Sequence, residues 1–200
     1  MPEPLSLSEA IGRDHDDFDI CYNEIKRATD DATKTKWRNQ LTWNVARHAV
    51  SEELTWYPAM EKHMGALGRK LTEEDKKQHM SVKTTVYNLQ DTPPTSPNFN
   101  PLLEELMANL HHHIEHEKNE DMPRLEKLLS REESQNLAQQ FLRTKNLVPT
   151  RSHPDAPTSS WAFEGIAALL AAPMDRLRDL VMNEYPGEGE LRKAGEKSIL

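Results

Sequence analysis

Cysteine occurs once in the 200 residues, at Cys21. An intramolecular disulfide is therefore excluded, and a reducing, intracellular compartment is expected. No apolar stretch approaches the ~20 residues of a membrane span, so no membrane association is expected. The opening MPEPLSLSEA lacks the basic region and apolar block of a secretory signal, which makes the expected location cytoplasmic. The ending Ser198-Ile199-Leu200 is only a poor relative of the peroxisomal tripeptide, because Ile stands where a basic residue belongs. A net charge of −8 offers no generic basic face, so nucleic acid is not an expected partner. Strictly alternating β-branched runs do not occur, nor does a glycine-rich phosphate loop or a Ser-His-Asp pattern.

What remains is helical spacing almost throughout. Ile11, His15, Phe18, Tyr22 and Ile25 follow one face of a 3.6-residue helix. So do Leu41, Val45, His48, Glu52 and Ala59; then Leu71, Asp75, His79, Val82, Val86 and Leu89; then Leu102, Leu106, Leu110, His113, Glu117 and Arg124. Ser8 can cap a helix A that ends near Thr29–Thr33. Helix B then runs to about Met64, closed by Gly65 and Gly68. Thr72-Glu73-Glu74 opens helix C. Asp91 to Pro101 is a proline-rich loop, and helix D runs from Pro101 to about Leu129. These elements predict an all-α, up-down-up-down four-helix bundle over residues 1–130. Residues 131–200 form an extension: a short helix over Glu132–Thr144, a proline connector over Val148–Ser160, an apolar helical segment over Trp161–Met182 packed on the bundle, and a polar, loosely held tail from 186.

The chain repeats itself within the bundle. His48 and His113 are each followed by a glutamate four residues on and a proline ten residues on: His48, Glu52, Pro58 and His113, Glu117, Pro123. His15 precedes His48 by 33 residues, and His79 precedes His113 by 34. Each half thus reads His, a helix and a turn, then His-x-x-x-Glu, then Pro, an internal repeat of a helix pair. Positions i and i+4 share a helix face, so His48 with Glu52 and His113 with Glu117 point inward, where His15 and His79 meet them. Six polar groups converging among apolar neighbours are costly unless paired or metal-bound. Two metal ions use the set well: each takes two histidines while Glu52 and Glu117 bridge, and imidazole with carboxylate suits iron, manganese or zinc better than calcium. Asp14, Asp16, Glu53, Asp75 and Tyr22 are possible partners for the outer imidazole nitrogens. Pro58 and Pro123 either kink helices B and D below the site or end regular helix there.

His15, His48-x-x-x-Glu52, His79 and His113-x-x-x-Glu117, with the phrases Asp14-His15 and Tyr57-Pro58, resemble the hemerythrin-like, or HHE cation-binding, domain. The resemblance covers about residues 8–130. It implies a non-haem di-iron centre, oxo- or hydroxo-bridged, that meets dioxygen, peroxide or nitric oxide. Oxygen-carrying relatives place a second histidine four residues after the helix-C histidine; here that position is Lys83. The arrangement is similar to the iron-sensing hemerythrin domain of an F-box ubiquitin ligase subunit. Three functions stay open: a redox-active di-iron protein, an iron- or oxygen-sensing module, and a di-iron oxidase or oxygenase acting on a small organic substrate. Glu53 could add a ligand. Lys83 either snorkels to the surface or hydrogen-bonds an anion at an open coordination position. The remaining histidines read as bystanders: His111, His112 and His116 as solvated, His63 as too far along the helix, His153 as part of the connector. Cys21, Trp37, Trp43, Trp56 and Trp161 read as packing residues.

Overall fold

The computed structural model describes residues 3–148, 150–152, 175, 179 and 184–198. Among them every regular element is helical, and the fold is an all-α bundle. The first rod is α1, Leu7–Arg27. It is capped by Ser6 rather than Ser8: the Ser6 hydroxyl accepts from the Glu9 N–H, and the Glu9 carboxylate accepts from the Ser6 N–H. Such reciprocal pairing satisfies two amides that the helix leaves free. Ser8 instead donates its hydroxyl and its N–H to Glu126.

The second rod is α2, Asp31–Leu54, followed by α3, Trp56–Met64. The break lies at Thr55, whose φ of −128° leaves the helical range and whose N–H reaches back only to the Glu52 carbonyl, 3.2 Å away. Pro58 has no N–H to offer Leu54, so the next turn cannot repair the interruption. Gly65, at φ 60°, turns the chain into α4, Ala66–Gln90. Helix C therefore starts earlier than its sequence suggests, and Thr72 is a buried interior residue rather than a cap. Gly68 is also interior. A Cβ there would stand 2.1 Å from the Met60 carbonyl oxygen, so only glycine lets α3 and α4 approach this closely.

The fourth rod is α5, Phe99–His116, a π turn over Glu117–Asp121, and α6, Met122–Glu126. The Met122 N–H bonds to the Glu117 carbonyl across the wide turn, and Pro123 comes directly after it. Both prolines thus sit just below an irregular turn that begins at a glutamate, and in both rods helix resumes through the proline. Beyond the rods, α7, Arg131–Thr144, is capped by a Ser130–Glu133 box and lies against α1 and α2. The chain then crosses the end of α4: Arg151 pairs with Asp91 at 2.7 Å, and the Ser152 hydroxyl donates to the Lys83 carbonyl at 2.6 Å. Of the expected apolar segment 161–182 only Asp175 and Asp179 are described, and His153, Pro149, Pro154 and Pro157 lie outside the described residues. The tail expected to be loose forms α8, Glu188–Ser198, which packs on α1 and buries Ala194.

Two apolar layers fill the bundle. One joins Phe18, Leu41, Val45, Val82, Val86, Leu106 and Leu110; the other joins Leu7, Ile11, Trp56, Met60, Leu71, Met122, Leu125 and Phe141. Each fully buried large side chain contributes ~1.5–3 kcal/mol. On every rod the six repeated His and Glu residues fall between these layers. His15 separates Ile11 from Phe18, His79 separates Leu71 from Val82, and Glu52 separates Val45 from Trp56.

Candidate metal centre

All six residues of the repeat are buried: His15, His48, His79 and His113 at 2 % exposure, Glu52 and Glu117 at 0 %. The rods bring them into one cluster with two histidine pairs. His15 Nε2 lies 3.3 Å from His48 Nε2, and His79 Nε2 lies 2.9 Å from His113 Nε2. The glutamates lie across the pairs. Glu52 sets Oε1 3.2 Å from His48 Nε2 and Oε2 3.2 Å from His79 Nε2. Glu117 sets Oε1 3.2 Å from His113 Nε2 and Oε2 3.4 Å from His15 Nε2. Each carboxylate therefore gives one oxygen to each pair.

The outer nitrogens explain why the rings point this way. His48 Nδ1 donates to Asp14 Oδ2 at 3.1 Å, and Lys145 holds the other Asp14 oxygen. His79 Nδ1 donates to Glu53 Oε1 at 3.1 Å, and Lys83 Nζ holds that same oxygen at 2.5 Å. His113 Nδ1 donates to the Gln78 side-chain carbonyl at 3.1 Å. Carboxylate and amide oxygens can only accept here, so these three rings carry hydrogen on Nδ1 and direct Nε2 at the centre. His15 Nδ1 has no hydrogen-bond partner. The Tyr57 hydroxyl lies 3.1 Å from both nitrogens of His79. Of the outer partners expected from sequence, Asp14 and Glu53 meet a ring. Tyr22 bonds to Glu104 instead, Asp16 is exposed, and Asp75 turns elsewhere. Lys83 neither snorkels free nor faces the centre; it is tied to Glu53, which stands on the outer side of His79.

Electrostatics reflect the crowding. Burial disfavours a charged His48, but Glu52 and Asp14 outweigh it and raise the ring to about 10. Burial likewise opposes Glu117 at His113, and the carboxylate wins, raising that ring to about 9. His15 is pushed down to about 4 by burial and by His48. Burial works against ionised Glu53, yet Lys83 and His79 bring it to about 2. Glu52 is also held low, against burial, by His48 and His79.

These residues fit a cation pair on a direct observation. The four oxygens of Glu52 and Glu117 are fully buried and face only imidazole nitrogens, 3.2–3.4 Å away and without a well-directed hydrogen bond. Orphaned buried carboxylates are expensive. A metal at each histidine pair would take those oxygens as ligands and replace the protons that His48 and His113 otherwise hold. The ligand atoms fall into two compact sets on the same grounds: Glu52, His79, His113 and Glu117, and His15, His48 and Glu52. A surface groove of about 460 Å³ reaches the cluster at His15 and is lined by Asp19, His111, Ile114, Glu115 and Lys118. His111 is exposed and pairs with Asp19 at 2.7 Å. His116, expected in solvent, is half-buried and faces Asp121 and Asp75. No sequence signal flagged Lys145, which comes to Asp14 from 131 residues away.

Known proteins are similar to this chain. The hemerythrin HHE cation-binding domain matches residues 6–125. An uncharacterized hemerythrin-like protein of Schizosaccharomyces pombe is 46 % identical over 180 residues, covering 90 % of this chain and 88 % of its own. A DNA nickase of Nostoc is 20 % identical over 149 residues, 74 % of this chain; the chain spans 42 % of that protein. No solved structure matches.

Proposed function

We propose that this chain, which belongs to the hemerythrin HHE cation-binding family, holds two non-haem irons and through them binds or reacts with dioxygen, peroxide or nitric oxide. His15 and His48 would hold one ion and His79 and His113 the other, with Glu52 and Glu117 shared. The observation that carries this reading is the placing of one oxygen of each glutamate against each histidine pair. Imidazole and carboxylate together suit iron, and bound iron would supply the one-electron chemistry that amino acids lack. The chain's own part is to fix the ligands and control access. Asp14, Glu53 and Gln78 set the ring orientations, while the apolar layers exclude bulk water. The groove at His15 admits a small molecule. A net charge of −8 supports such a partner over a nucleic acid, and the lone buried Cys21 suits a reducing cytoplasm.

A second reading rests on a different observation. Without metal, four buried carboxylate oxygens face only imidazole nitrogens with no well-directed hydrogen bond, so iron occupancy and stability are linked. That is the property an iron sensor needs. Reconstitution with two equivalents of iron, followed by desalting, tests both. The chain is expected to retain about two irons and to consume peroxide, with the melting temperature rising on loading. Retention near zero would end both readings. Two irons with no reaction toward peroxide, dioxygen or nitric oxide, but a large melting shift, would favour the sensor.

A further inference from the structure

The bundle contains another group of convergent ligands, on the side of α4 and the π turn. Asp75 lies one turn before His79 and is 0 % exposed; Asp121 closes the π turn and is also 0 % exposed. His116, the last residue of α5, completes the group. Its Nδ1 stands 3.0 Å from Asp121 Oδ2 and 3.8 Å from Asp75 Oδ1. One ligand atom from each of the three lies within 4.8 Å of the others. This set shares no residue with the histidine pairs.

We propose that Asp75, His116 and Asp121 form a separate site for one divalent first-row cation of the Mn2+, Fe2+ or Zn2+ class. Both Asp75 oxygens and Asp121 Oδ1 have no hydrogen-bond partner. Among the described residues neither aspartate pairs with Lys or Arg; Arg124 is engaged by Glu120 instead. Two buried carboxylates this close repel, and only one of their four oxygens, Asp121 Oδ2, meets a donor, the His116 ring; an ion between them turns that repulsion into coordination. Burial and Asp121 already push Asp75 up to about 8. Two carboxylates with one imidazole match ions of intermediate hardness. They leave further positions for water, and the half-buried His116 opens the site to solvent. The π turn is what makes the two sites neighbours: Glu117 at its start serves the histidine pairs, and Asp121 at its end serves this one.

The full-length chain, reconstituted with iron and desalted, is dialysed against micromolar Mn2+, and total metal per chain is counted. The wild type is expected to hold about one ion more than Asp75→Asn or Asp121→Asn, because each variant keeps its shape but loses a ligand. Affinity for that ion should fall at least about tenfold in the surface-accessible His116→Ala, which keeps the proposal testable if the aspartate variants fail to fold. Added Mn2+ should raise the melting temperature of the iron-loaded wild type and leave Asp75→Asn unmoved. Equal metal counts in wild type and the aspartate variants, or equal Mn2+ affinity in His116→Ala, would overturn the site. The readout is a difference of about one ion between variants. It therefore stands apart from whether the histidine pairs retain iron.

Discussion

The two halves of the bundle carry the same inner groups and different outer ones. In the first half, His48 is oriented by Asp14, and the lysine behind Asp14 is Lys145, from the extension. In the second, His79 is oriented by Glu53, and the lysine behind it is Lys83, four residues along the same helix. His113 leans on a neutral amide and His15 on nothing. The helix below Glu52 tightens at Thr55, whereas the helix below Glu117 widens into a π turn. A repeated spacing thus dictates where the Nε2 atoms and carboxylates converge. The support behind them is improvised from whatever each half has nearby. In the first half that support makes residues beyond 130 part of the site.

The largest expected effect removes the symmetry at its centre. Glu52→Ala or Glu117→Ala should lower iron from about two per chain toward zero, since each carboxylate faces both histidine pairs. The loaded protein should lose on the order of 3–5 kcal/mol, read by metal analysis and thermal melting. Replacing one histidine should separate the halves: His15→Ala or His79→Ala is expected to cost about one iron, from opposite positions. The lysines sharpen the contrast. Lys145→Met and Lys83→Met should each weaken metal binding roughly tenfold through the carboxylate they hold, measured by chelator competition. In a His15→Ala background, Lys83→Met should still weaken the remaining ion while Lys145→Met should not. Non-additivity in the reverse sense would mean that the outer partners are not confined to their own half. The smallest effect is Tyr57→Phe, which should cost about 1 kcal/mol and disturb only the His79 side.

Much of this could be read from the chain. The 3.6-residue spacing marked out four rods, and the His-x-x-x-Glu repeat named the six residues that the fold gathers into one cluster. Those signals are local, and a helix enforces them. Features set by distant contacts stayed hidden. Lys145 meets Asp14 across 131 residues, and Lys83, read as either snorkelling or meeting an anion at the centre, is taken up by Glu53 from α2. Thr72 looks like a cap because its neighbours are acidic. The true break, at Gly65, is fixed by the close contact of Gly68 with the Met60 backbone. His116 looked solvated because a regular helix would turn it out. A π turn re-aims the residues after Glu117, and Asp121 comes back to meet the ring. The tail read as loose because it is polar, yet α8 packs on α1 through the buried Ala194, with Lys197 beside Glu24 at 3.7 Å.

The sharing of Glu52 and Glu117 has a thermodynamic consequence. A carboxylate with one oxygen turned to each pair is fully compensated only when both positions are filled. On the proposed reading, the first ion would fix two glutamates that the second then finds already placed, so the second would bind more tightly than the first. Such coupling is reciprocal. On the proposed reading, a half-loaded chain is the least populated stage of filling. Molecules given too little iron divide into empty ones and complete ones, with few in between.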